Sequence, residues 1–200
     1  VSDLDIINAF REIEGIKGDV RLTYFDYATI AAFILFKKNS IDVAILEIGL
    51  GGRYDPVNLL DSDISILTNV ELDHQKWLGN TREEIGEEKS AIFREGKTII
   101  MGAAEMPETV LQKAEDLNSK TLQLGLDFFV DEVDTTNLNK ESAACSIVAY
   151  KEITNQQINY KEIIENTSLL GRCDVKGKFV LDVSHNLASV RNLVSFINKE

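Results

Sequence analysis

The sequence predicts an α/β fold in which a mostly parallel sheet is flanked by helices. Three observations lead there. Short runs of β-branched and aliphatic residues recur at Ile41 to Ile48 (IDVAILEI), Ile64 to Leu67 (ISIL), Thr98 to Met101, Thr121 to Leu124 and Phe179 to Val183. Such runs suit strands, and the first two suit strands buried on both faces. Helical patterns with their own start signals separate them, the alternation that builds a parallel sheet. The residues with the most chemical potential follow the strands, at the carboxyl ends where such sheets bind ligands.

The elements can be justified in order. Ser2 is placed to cap a first helix, with Ile6, Ile7, Phe10 and Ile13 on one face and Gly15 and Gly18 at its end. Tyr27 to Lys38 reads as a second, mostly buried helix. The Ile41–Ile48 strand then runs into a backbone-rich loop at Gly49, Gly51 and Gly52. After the second strand, Thr81 and Glu84 form a capping-box pattern for a helix to about Phe93. Pro107 marks a helix start. Residues 125 to 141 are polar, acidic and unpatterned. Ser142 to Ile153 and Tyr160 to Glu165 read as helices, and Val190, Leu193, Val194 and Ile197 mark one face of a last one, with Asn186 as its cap.

Bulk properties narrow the function. The chain has 200 residues, 44% of them hydrophobic, enough for one good core or one core and part of another. A net charge of −12 disfavours nucleic acid as a partner but leaves room for a small anion such as ATP. The two cysteines, Cys145 and Cys173, lack metal spacing and fit a reducing, cytoplasmic compartment. No apolar run reaches the roughly 20 residues of a membrane span. Val1 is not an initiator and Glu200 falls inside a helical pattern, so the sequence reads as a fragment.

Glu47 is a carboxylate within an apolar run, where a lone charge needs a cation, a hydrogen-bond network or a proton. A structural ion pair would satisfy it equally; the GLGGR loop that follows, with free N–H groups and Arg53, favours a ligand. As a dinucleotide fingerprint for an oxidoreductase GLGGR has the wrong spacing. The only two histidines, His74 and His185, each follow a strand, with Asp73 and Asp182 close before them. A Glu–His pair leaves the metal open, since magnesium prefers oxygen while manganese or zinc accepts both. Lys89 is either a solvated lysine beside glutamates or a half-buried amine made reactive by a depressed pKa. Tyr24 and Phe25 are an aromatic pair able to line a flat pocket, and Asp26 is a possible cap.

The stretches LTYFDYATIAAF, DVAILEIGLGGRYDPVN, SILTNVELDHQKWLGNTREEIGEEKSAIFREGK, LLGR and VLDVSHN together resemble bifunctional dihydrofolate synthase/folylpolyglutamate synthase, of the Mur ligase superfamily. The resemblance implies a monomeric ATP-dependent ligase. Its ATP phosphorylates a carboxylate of dihydropteroate or the γ-carboxylate of a folate, and the amine of L-glutamate displaces the phosphate. It implies Mg²⁺ held by Glu47 and His74, a carbamylated Lys89, and His185 near the phosphates. It further implies pterin-substrate contacts at Thr23, Tyr24, Phe25, Asp26, Tyr54, Asp55 and Pro56, and ATP contacts at Arg172 and Asp182. Residues 1–172 would be the later part of the central ATP-binding domain, and 173–200 the start of a Rossmann-like C-terminal domain. The sequence departs from the family pattern in three places. The glycine-rich phosphate loop would lie upstream of Val1, so this piece alone is expected to be inactive; a non-catalytic module of the same fold is the alternative. The stretch before Ser142 is short, making Ser142 the best match to an adenine-contacting asparagine, with Asn139 in poorer register. Leu187 stands where a proline is usual.

Overall fold

A computed structural model describes residues 1–130, 138–157, 159–167 and 169–198, and the chain divides into two compact units, Val1–Asp61 and Ser62–Glu200. The unassigned acidic stretch falls partly on residues 131–137, outside the described residues.

The first unit holds α1 (Asp3–Ile16) and α2 (Tyr24–Asn39). Both start with a capping box. The Ser2 hydroxyl accepts the Asp5 N–H while the Asp5 carboxylate takes the Ser2 N–H, and Thr23 and Asp26 do the same for α2. The second box is why α2 begins at Tyr24 rather than at Tyr27. Ala9, Ile13, Ala31 and Leu35 form the core between these helices, with the Phe10 and Tyr27 rings edge to face at 6.0 Å. Ile6 and Ile7, expected on the buried face, stay substantially exposed.

The expected strand at Ile41–Ile48 is not formed. Those residues lie outside any strand, and Ile45 is 93% exposed. An apolar run gains burial and backbone pairing only from a neighbouring strand, and among the described residues none pairs with it.

The second unit carries a three-stranded parallel sheet in the order β1 (Ile64–Leu67), β2 (Thr98–Met101), β3 (Lys120–Gln123). The register pairs Ile64 with Thr98 and Thr98 with Lys120. Between β1 and β2 lie the short α3 (Gln75–Leu78) and α4 (Arg82–Ser90); α5 (Glu108–Asp116) joins β2 to β3. Ile99 and Met101 of β2 pack with Leu67, Ile85, Phe93, Val110 and Ala114 in one core. Ile100, fully buried, points to the opposite face by strand alternation, and α6 (Lys140–Thr154) packs against β2. Gly86 lets α4 approach α5, since a Cβ there would sit 2.9 Å from a Val110 methyl.

Then follow α7 (Tyr160–Glu165), an antiparallel hairpin of β4 (Asp174–Lys176) and β5 (Phe179–Leu181), and α8 (Leu187–Ile197) capped by Asn186. No helix among the described residues is long and apolar enough to cross a membrane.

Candidate functional site

In the first unit the fold brings the two expected substrate segments together. Asp55 is buried, and its Oδ2 accepts the Gly49 N–H at 2.9 Å and the Leu50 N–H at 3.0 Å, while Oδ1 accepts the Val57 N–H at 2.9 Å. Two N–H groups of the glycine loop that looked free for a ligand are therefore already taken. Pro56 opens a 3-10 turn, Pro56–Leu59, and not the α-helix that a dinucleotide fingerprint requires. Phe25 lies on Gly49 and is 41% exposed, and Tyr24 and Tyr54 are 83% and 88% exposed. Thr23 and Asp26 commit their side chains to the α2 cap at 2.7 to 3.2 Å. Glu47 precedes this loop. It is exposed, so the burial cost expected of a charge inside a strand does not arise.

In the second unit the chain leaves the carboxyl end of β1 and turns at His74, which has left-handed backbone angles (φ 51°, ψ 32°) and precedes α3. The turn is held from both sides. The Val70 carbonyl accepts from Arg82 Nε at 3.0 Å, and the His74 carbonyl accepts from Trp77 N–H at 2.8 Å. Asp73 Oδ1 accepts the His74 N–H at 2.7 Å, and Asp73 Oδ2 accepts Asn186 Nδ2 at 2.7 Å. The bond from Asn186 is the main reason that the Asp73 carboxyl lies below its ordinary range, with His74 and His185 adding to it against partial desolvation. Lys89, on α4, is half-buried; burial pushes its amine below the ordinary value, and Asp73 partly offsets this.

His185 Nδ1 lies 3.0 Å from the Val183 carbonyl. Asp182 faces Cys173 across the hairpin and accepts its N–H at 2.8 Å, together with the Ser184 N–H at 2.8 Å and the Ser184 hydroxyl. Desolvation raises the Asp182 pKa, but these hydrogen bonds outweigh it and the net shift is downward. Arg172 is exposed and precedes Cys173, the residue that Asp182 faces. Asn139, not Ser142, opens α6: its Oδ1 accepts the Ser142 N–H at 2.8 Å, and Ser142 lies exposed within the first turn.

Asp73, His74, Lys89, His185 and Asn186 thus share one region of the second unit, whereas Glu47, Tyr54 and Phe25 belong to the first. Among the described residues no three His, Cys, Asp or Glu side chains converge as a metal cage. Sequence reasoning notes Asp73 only as a neighbour of His74 and Asn186 only as a cap. Their mutual bond spans 113 residues, and no local pattern announces it.

The match that decides the family covers residues 7–176, the Mur ligase middle domain. The chain belongs to the Mur ligase family. Within it, the dihydrofolate synthase/folylpolyglutamate synthase of Escherichia coli K12 is 46% identical over 120 residues, 60% of this chain and 28% of that protein. Escherichia coli FolC in complex with DHPP and ADP superposes with a TM-score of 0.92 at 30% identity, over all of this chain and 53% of that one. The Yersinia pestis bifunctional enzyme complexed with AMPPNP and Mn gives 0.91 and 31%, again over all of this chain and 53% of the other. This Mur ligase chain therefore spans about half the length of the solved relatives it matches.

Proposed function

We propose that this chain is the central part of an ATP-dependent ligase that joins L-glutamate to dihydropteroate, to the γ-carboxylate of a folate, or to both. The observation that carries the reading is the gathering of His74, Lys89 and Asp73 at the carboxyl end of β1 in a Mur ligase middle domain. The names of the relatives support the substrates, and the ADP and AMPPNP complexes of two of them support a nucleotide.

The chemistry asks for positioning and charge neutralisation. A carboxylate oxygen of the acceptor attacks the γ-phosphorus of ATP, and ADP leaves. The glutamate amine then attacks the acyl carbon, phosphate leaves with the bonding electrons, and the amine proton passes to base. Glu47 and His74 are the residues proposed to hold Mg²⁺. A carboxylate such as Glu47 suits Mg²⁺, which commonly takes its remaining ligands from phosphates and water, while the His74 imidazole suits Mn²⁺ as well, and both side chains are exposed. Bound there, the ion would offset charge on the transferring phosphoryl group.

Lys89 is proposed to be carbamylated. The ammonium first loses a proton; the neutral amine then adds to carbon dioxide and releases a second proton, so that an anion stands where the lysine carried a cation. The depressed basicity of the half-buried amine favours that step. Tyr24, Phe25 and Tyr54 are proposed to present an aromatic surface to the pterin, with Asp55 and Pro56 shaping the loop beneath. Arg172 and Asp182 are proposed to contact ATP, as is the first turn of α6 through Ser142, with His185 near the phosphates. Residues 1–172 are read as the later part of the central ATP-binding domain and 173–200 as the start of the C-terminal glutamate-ligase domain.

The test is a coupled assay on the full-length protein with ATP, Mg²⁺, L-glutamate and either dihydropteroate or a reduced folate. ADP and phosphate should appear only when acceptor and glutamate are both present. ADP release without glutamate incorporation would overturn the reading.

A further inference from the structure

Asp73 lies at the centre of the second-unit residues just described, yet none of the proposed roles uses it. Its two carboxylate oxygens have different partners: Oδ1 takes the His74 N–H and Oδ2 takes the Asn186 side-chain amide, each at 2.7 Å. Asn186 is equally divided. Its Oδ1 accepts the Ser189 N–H at 2.9 Å, which caps α8, and its Nδ2 donates to Asp73. The Ser189 N–H can only donate, so the amide's orientation is settled from both ends. Capping needs only the acceptor, and aspartate would serve as well. The donor is the part of asparagine that the cap does not explain.

His74 supplies the reason such a tether matters. Left-handed backbone angles cost a non-glycine residue about 1 kcal/mol or more and persist where surrounding contacts impose them. One of those contacts is the bond from its own N–H to Asp73. We infer that Asp73 is a positioning residue, which fixes the His74 turn by binding the turn's backbone with one oxygen and the start of α8 with the other. The inference rests on the metal role proposed for His74. It adds that the placement of His74 depends on Asn186, beyond the β4–β5 hairpin and across the boundary proposed at residue 172.

A reciprocal exchange tests this in the full-length protein. Asn186→Asp keeps the α8 cap but sets a carboxylate against Asp73. Asp73→Asn leaves one oxygen for two donors. In the double variant the amide introduced at position 73 would accept from the His74 N–H through its oxygen and donate through its nitrogen to the carboxylate introduced at position 186. That carboxylate would still accept the Ser189 N–H, so all three bonds are restored. Hydrogen exchange of residues 68–80 and Mn²⁺ affinity are measured for each. Asn186→Asp should speed exchange in that segment and weaken Mn²⁺ binding about tenfold, as loss of a residue supporting a metal ligand commonly does. The double variant should return both towards the parent. The inference is overturned if Asn186→Asp leaves exchange of 68–80 unchanged, or if the double variant shows the sum of the two single effects. A parent protein that does not bind Mn²⁺ would remove the metal role of His74, and exchange alone would then judge the tether.

Discussion

The Asp55 carboxylate closes the Gly49 turn, accepting the Gly49 N–H at 2.9 Å while also serving Leu50 and Val57. Asp55→Ala removes one buried acceptor from three donors. Water can reach the exposed Leu50 side of the loop, so the full penalty of three orphaned groups does not apply. A loss of about 2–3 kcal/mol is expected. Chemical denaturation checks it, and a change within about 0.5 kcal/mol, the range of an ordinary surface substitution, would mean that the loop does not depend on this clasp.

His74 should show opposite effects on stability and function. His74→Gly relieves the left-handed backbone and is expected to leave stability unchanged or raise it by up to about 1 kcal/mol. The same change removes the imidazole, so Mn²⁺ affinity and ligase turnover should fall together. Thermal melts with a Mn²⁺ titration read both effects. Turnover near that of the parent would sink the proposed metal role.

Glu47 tests the metal reading from the other unit. The side chain is exposed, so Glu47→Gln should change stability by less than about 0.5 kcal/mol. Ligase activity of the full-length protein should nevertheless be abolished, because the amide keeps the shape and removes the charge. Near-normal turnover would count against Glu47 as a ligand.

Lys89 gives a pH-dependent prediction. Its folded-state pKa is depressed by burial, so between that value and the ordinary 10.5 the unfolded chain binds the proton more tightly than the folded one. The resulting penalty is full below the folded pKa and disappears as pH rises towards 10.5. In CO₂-free buffer, Lys89→Met should therefore be more stable than the parent at neutral pH, with an advantage that shrinks as pH rises. Its ligase activity should be lost. Urea titrations at several pH values check the first part, and an advantage that grows with pH would contradict the assigned cause.

Much of the fold is legible in the sequence because it is local. The capping boxes at Ser2, Thr23, Thr81 and Asn186 involve residues three apart, and each pattern sits at an observed helix start. At Thr81 the local pattern shows the whole box, whereas at Thr23 it suggests only a possible cap at Asp26. The strands at Ile64 and Thr98 follow from short apolar runs between turn signals. The run at Ile41–Ile48 has the same composition and forms no strand, because a ladder needs a partner and composition names none.

The candidate site divides along the same line. Residue types and order alone mark Glu47, His74, Lys89 and the aromatic pair, and all of them fall within the residues 7–176 that match the Mur ligase middle domain. Contacts that no residue pattern announces supply the rest: the Asp55 clasp on the glycine loop just before it, the half-burial that depresses Lys89, and the bond from Asn186 to Asp73. A side chain's pKa and its hydrogen-bond partner depend on what surrounds it, and those surroundings are brought in from distant parts of the chain. Local sequence carries the propensity to cap, turn or extend; it does not carry the identity of a partner 113 residues away.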